Sequence, residues 1–223
     1  MNLSIVEKFL LLAHHPTKGG FIISEIHINF GIIGSILLEM SFENYFRIEN
    51  DRLMIKNERT PSNPLYSEIF IRIRDSKKAR KLKYWVTRLN SKSNKYKWMI
   101  LKDLQKKGLI DIEDKKFLWL IPYKKSRLTD SLAHDRFIQE LKNNISNRHD
   151  ISNENTVVLA LVDACKMHKV FAKSRAEVKV LKKDLKSVIE ESAVGDTVDE
   201  TIKEVQRAIT NTIAASTVVI TAS

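Results

Sequence analysis

An apolar stretch runs from Ile22 to Phe42 and is densest over Gly31-Ile32-Ile33-Gly34-Ser35-Ile36-Leu37-Leu38-Glu39-Met40. As a helix it is apolar nearly all round, and such a helix has to lie in the middle of a protein with other elements covering every side. Gly31 and Gly34 mark places where another backbone comes close. At 223 residues the chain can supply that cover as one domain, 1–223. Six glycines and four prolines leave few breaks. The cover is therefore predicted to be helices joined by short connections.

Local signals place those elements. Ser4-Ile5-Val6-Glu7 is a capping box that opens a helix through about His14, and Gly19-Gly20 breaks the chain after it. Tyr45–Ile48 and Leu53–Lys56 flank the turn Glu49-Asn50-Asp51-Arg52 as a hairpin. Asn63-Pro64 starts a helix over Leu65–Ile73. Two basic helices follow, around Ala79–Leu89 and Asn94–Lys107; in the second, Trp98, Leu101 and Leu104 share a face and Gly108 supplies the stop. The stretch Leu109–Ile121 reads as a second hairpin whose return strand is Phe117–Ile121. The remainder reads as helices over Thr129–Asn143, Ser152–Ala172, Arg175–Ala193 and Val198–Ala215. The expected fold is mostly α: a single helical-bundle domain with two small β-hairpins, one apolar and protruding.

Charge is distributed unevenly along this frame. Phe70–Gly108 carries fourteen Lys and Arg against Asp75 and Asp103, a net +12 that exceeds the +11 of the whole chain. A concentrated patch of one sign is the footprint of a polyanion partner, nucleic acid or an anionic membrane. The run Phe117-Leu118-Trp119-Leu120-Ile121 lacks the alternation of a half-exposed strand, so it is buried on both faces or meets something apolar. Two readings compete with a merely solvated charge face. In one, the two basic helices and the hairpin form a winged helix whose second helix enters the major groove of DNA. In the other, lysines hold anionic lipid head groups while the hairpin wedges into the membrane interface, where tryptophan prefers to sit. Asn94–Lys107 has only lysine cations, which neutralise phosphate better than they read bases. An oligomerising scaffold, joined through the hairpin into a homo-oligomer, is a third reading.

Signals for catalysis are weak. The six histidines have no metal-ligand spacing, and Cys165 lies among apolar neighbours as a core residue. Thr17-Lys18-Gly19-Gly20 lacks the glycine spacing of a phosphate loop. Glu39 reads as a buried structural partner. We expect no catalytic residues, metal or cofactor. Glu7 and the short run Phe9–Ala13 argue against a signal peptide, and no segment approaches the ~20 apolar residues that span a bilayer. The expected location is cytoplasmic, with any membrane contact peripheral.

The order and spacing of these segments resemble the Golgi phosphoprotein 3 family, which includes many bacterial members. Gly31–Met40 is similar to its Gly-Leu-x-Gly-x-x-Leu-x-Glu-Leu segment. Phe46-Arg47-Ile48, Asp51–Ile55 and Thr60-Pro61-Ser62-Asn63-Pro64-Leu65 resemble its next landmarks, as do Trp85-Val86-x-x-Leu89 and Leu104–Ile110. Weaker similarity covers Val157–Phe171 and Ile202–Ala215. The resemblance implies a mostly helical protein that binds phosphatidylinositol 4-phosphate on a basic face and inserts or self-associates through an apolar hairpin. Its head-group pocket falls on Ser24, Ile33, Asn94 and Lys97, of which only Lys97 keeps the charge type. The resulting expectation is a non-enzymatic protein that binds anionic head groups through Lys97, Lys95, Lys102 and Arg88, with phosphatidylinositol 4-phosphate among them. Membrane insertion or self-association falls to Phe117, Leu118, Trp119 and Leu120, and nucleic acid is the less favoured partner.

Overall fold

The computed structural model describes residues 3–117, 120–147, 151–191 and 196–221. Among these are nine α-helices and two small antiparallel sheets. Helix α1 (Ile5–Ala13) opens on the predicted capping box: the Ser4 hydroxyl accepts from the Glu7 N–H, and the Glu7 carboxylate accepts from the Ser4 N–H. The apolar stretch forms α2 (Glu25–Phe42). Helices α1, α4 (Leu82–Asn90), α5 (Ser93–Lys106), α7 (Asn153–Ala164) and α9 (Asp196–Thr221) pack around it. Ile28, Ile32, Ile33, Ile36 and Met40 are all fully buried. The two glycines do what their position requires. A Cβ on Gly31 would overlap the Phe9 ring, and one on Gly34 would overlap Ile209 of α9, so both neighbours reach the α2 backbone directly.

The first hairpin forms as β1 (Phe46–Glu49) and β2 (Arg52–Ile55), with Glu49 opposite Arg52. Its turn residues Asn50 and Asp51 both have positive φ, the two-residue turn whose twist suits paired strands. Helix α3 (Pro64–Arg74) starts where predicted, with the Asn63 side chain accepting from the Leu65 N–H. A third strand that the sequence did not suggest, β3 (Arg80–Lys81), pairs with β2 just before α4. Two charged residues carry no periodic signal from which to read a strand.

The second hairpin differs from the expectation. Strand β4 (Ile110–Phe117) pairs with β5 (Ile121–Leu128), register Ile110↔Leu128 to Phe117↔Ile121. The apolar run therefore spans the far end of the hairpin instead of forming its return strand. The true return strand is rich in Lys and Arg and reads as loop, yet at its base Ser126 is buried and Leu128 is half-buried. Leu120 is 84% exposed; Leu118 and Trp119 lie outside the described residues.

After α6 (Ser131–Ser146), the helix expected over Ser152–Ala172 is two pieces. Helix α7 stops at Ala164, Lys166 adopts φ 54°, and Met167–Val170 form a short 3₁₀ turn before α8 (Arg175–Glu191). The break is hidden in the sequence because a lysine occupies the left-handed position where glycine usually signals a stop. Asp163 holds the reversed chain, with one carboxylate oxygen 2.9 Å from His168 Nε2 and the other accepting from Gln206 Nε2.

Candidate anion-binding site

The base of the second hairpin is pinned to α1. His14 is buried, with Nδ1 2.7 Å from the Leu10 carbonyl and Nε2 2.8 Å from the Ser126 hydroxyl. A carbonyl only accepts, so Nδ1 carries the proton and Nε2 accepts from Ser126. Burial lowers the His14 pKa to about 4, which keeps the ring neutral in this role. The Gly20 N–H donates to the Ser126 carbonyl at 2.8 Å. The loop after α1 is thus stitched along β5.

Beside this seam lies a cleft of about 310 Å³, lined among others by Phe21, Glu25, Lys97, Trp98, Lys124 and Lys125. Lys97 is 7% exposed, its ammonium 3.0 Å from Glu25 Oε1 and 6.0 Å from the Trp98 ring centroid. The Glu25 side chain is 69% exposed. A buried lysine thus meets a largely exposed carboxylate, with two further lysines supplied by β5. Such a site can accept an anion in exchange for Glu25.

The four cations singled out from the sequence do not converge. Lys95 and Lys102 are seven residues apart and share one side of α5, whereas Lys97 falls on roughly the opposite side. Lys95 is exposed but bonded to Glu68 at 2.6 Å, and Lys92 reaches the same carboxylate at 2.9 Å. These hydrogen bonds hold Glu68 at about 2. Arg88, in the last turn of α4, and Lys102 are exposed and have no ion pair among the described residues. Of the fourteen cations in Phe70–Gly108, eight lie within 4.0 Å of a carboxylate among the described residues. The patch is accordingly weaker than its sequence count. The neighbouring positions that the resemblance points to are equally informative. Ser24 stands at the N-cap position of α2 without a side-chain cap bond and lies 2.7 Å from His27 Nδ1, Asn94 is exposed, and Ile33 is fully buried in the core.

Lys124 and Lys125 lie beyond the hairpin expected from the sequence, which ends at Ile121. Their signal was the run Lys124-Lys125-Ser126-Arg127 directly after the apolar stretch. A second cavity of about 540 Å³ includes Ser4, Glu7, Glu39, Tyr66, Asp103 and Lys107 in its lining. There the Lys107 ammonium lies 2.6 Å from Glu7, and burial pushes the Glu39 carboxyl up to about 7. Among the described residues, no group of three or more His, Cys, Asp or Glu is arranged to hold a metal, and no helix is long and apolar enough to cross a membrane. Burial also raises the Cys165 thiol far above its ordinary value, so it stays protonated in the core.

The model of the Golgi phosphoprotein 3 family matches residues 5–205 of this chain, from the first turn of α1 into α9. No curated protein matches it.

Proposed function

This chain belongs to the Golgi phosphoprotein 3 family, and we propose that it is a non-enzymatic, peripheral membrane protein that binds anionic lipid head groups at the base of its second hairpin. One observation carries the reading: the cleft that joins Lys97 and Trp98 to Lys124 and Lys125 takes those two lysines from the hairpin whose far end exposes Leu120. A surface offering both a cationic recess and an apolar tip suits the boundary between head groups and acyl chains. A head-group anion displaces Glu25 from Lys97 while Lys124 and Lys125 hold its remaining charge. Each basic side chain near an anionic surface contributes ~1 kcal/mol, so a few give useful reversible binding. Arg88, Lys102 and Lys95 add attraction at longer range.

Selectivity among head groups is expected to be low. Lysines meet phosphate as point charges, without the bidentate fork of arginine, and Ile33 in the core adds no donor. Phosphatidylinositol 4-phosphate is then one ligand among anionic lipids of similar charge. The double variant K124E/K125E, at two positions on the hairpin surface, tests the site. It should keep the wild-type melting temperature and lose most binding to phosphatidylserine-containing vesicles. Unchanged vesicle binding by a folded K124E/K125E would overturn the assignment of this cleft.

A further inference from the structure

The break between α7 and α8 opens a third cavity, about 650 Å³, into which Lys166, Lys169, Lys173, Arg175 and Lys182 all face as lining residues. We propose that this cleft is a second anion site, for a phosphate ester carrying two or more negative charges. The inference goes beyond the hairpin cleft, since the two share no lining residue.

Among the described residues, no carboxylate lines the cavity. Of the carboxylates close by in sequence, Asp163 and Glu177 bond groups beside the cavity, and neither forms an ion pair with its five cations among the described residues. Asp163 is held by His168 and Gln206, each at 2.9 Å. Glu177 accepts the Lys173 N–H at 2.9 Å and the Ser174 hydroxyl at 3.0 Å, capping the start of α8. None of the five cations has an ion pair among the described residues, in contrast to the basic block of α3 to α5, where most cations meet a carboxylate. Positive charge also continues along the helix: Arg175, Lys179 and Lys182 recur at i, i+4 and i+7, one face of α8. Like charges gathered in one recess repel one another, and an anion from outside relieves the arrangement.

Lys166 adds a second line of support. It holds φ 54°, a conformation that favours glycine, at the point where the chain reverses into the cavity. Its charge reaches as far as His27, which burial and Lys166 together hold below the ordinary histidine range.

Shape selects the ligand class. A flat basic face would suit a polymer, whereas a recess of this size takes one compact group. Arg175 offers a planar fork matched to phosphate oxygens, and the lysines supply further point charges. Val178 and Ala172 give an apolar wall for the organic part of an ester. The ester's source, a lipid head group or a soluble metabolite, is a question for experiment.

The test uses the full chain and inorganic pyrophosphate as the soluble probe, followed by calorimetric titration. The variant K169E/R175E/K182E alters only exposed side chains, and the neutral variant K169Q/R175Q/K182Q stands in should charge reversal impair folding. Pyrophosphate affinity should fall about tenfold or more in either triple variant, and should survive in K124E/K125E. Affinity equal to wild type in both folded triple variants, or no measurable pyrophosphate binding by the wild-type protein, would sink the proposal. Phosphatidylcholine vesicles containing phosphatidic acid then identify the source. Weakened vesicle binding by the triple variants places the ester in a membrane, and unchanged vesicle binding makes it soluble. Because K124E/K125E is measured in parallel, failure of the hairpin cleft and failure of this one give opposite patterns.

Discussion

Glu39 sits in α2 between the buried Leu38 and Met40, and its carboxyl is pushed up to about 7. Burial is the main cause. Hydrogen bonds from the Tyr66 hydroxyl and from the Val6 N–H, at 3.5 Å, act in the opposite direction, while Glu43 and Glu7 add repulsion. The folded-state value lies above the unfolded one, so the folded protein binds this proton more tightly. The associated stability is fully present below the ordinary carboxylate range and is lost as pH rises through about 7. Glu39→Gln removes the ionisable group with little change in shape. It should leave stability nearly unchanged at about pH 5 and raise it by up to about 3 kcal/mol at about pH 8. Thermal melts of both proteins across that range check the sign. A glutamine variant that is less stable at both ends would mean that the carboxyl is retained for its hydrogen bonds to Tyr66 and Val6.

At the scale of elements, the second hairpin separates a base held by His14, Ser126 and Gly20 from a far end where Leu120 is almost fully exposed. Leu120→Ser should therefore change folding stability by less than about 0.5 kcal/mol. Transfer of a leucine side chain into an apolar medium is worth about 1.5–3 kcal/mol, so the same variant should bind phosphatidylserine vesicles about tenfold or more weakly. A vesicle sedimentation series alongside a melting curve measures both; preserved binding would leave membrane contact to the lysines alone. Sequence reading found this hairpin but misplaced its strands, for a definite reason. An apolar run looks like a strand whether it is paired or sits at the turn, and Tyr123-Lys124-Lys125-Ser126-Arg127 shows its inward face only once Ser126 is seen beneath His14. Elements with strong local signals were legible: the capping box of α1, the Asn63-Pro64 start of α3, and α2 from its all-round apolarity. The strand β3 and the stop after α7 were not, since one is two charged residues and the other depends on a lysine in a left-handed conformation. Of the site, Lys97 was visible, whereas its partners from β5 depend on a register that only the fold supplies.

For the molecule as a whole, the +11 charge is a poor guide to where an anion binds. The densest block in sequence is largely answered by Glu68, Glu25, Asp103 and Glu7 in space. The cations of the α8 cleft are hidden in the overall total, where acidic residues elsewhere in the chain offset them. Membrane association should then have two separable parts. Attraction between exposed lysines and a charged surface is screened within about 10 Å at 0.1 M salt, while insertion of an apolar tip is not weakened by salt. Binding to phosphatidylserine vesicles should exceed binding to phosphatidylcholine vesicles, fall as salt rises, and level off at a floor set by the hairpin. K124E/K125E should lower the salt-sensitive part and leave the floor, and Leu120→Ser should lower the floor and leave the slope. Duplex DNA titrated over the same salt series supplies the contrast, because its phosphates give a slope without a floor. Tighter binding to DNA than to anionic vesicles at matched salt would favour the helix–helix–hairpin segment α4–α5–β4–β5 acting as a winged helix. A floor for vesicles that disappears in Leu120→Ser would tie the hairpin tip to the bilayer.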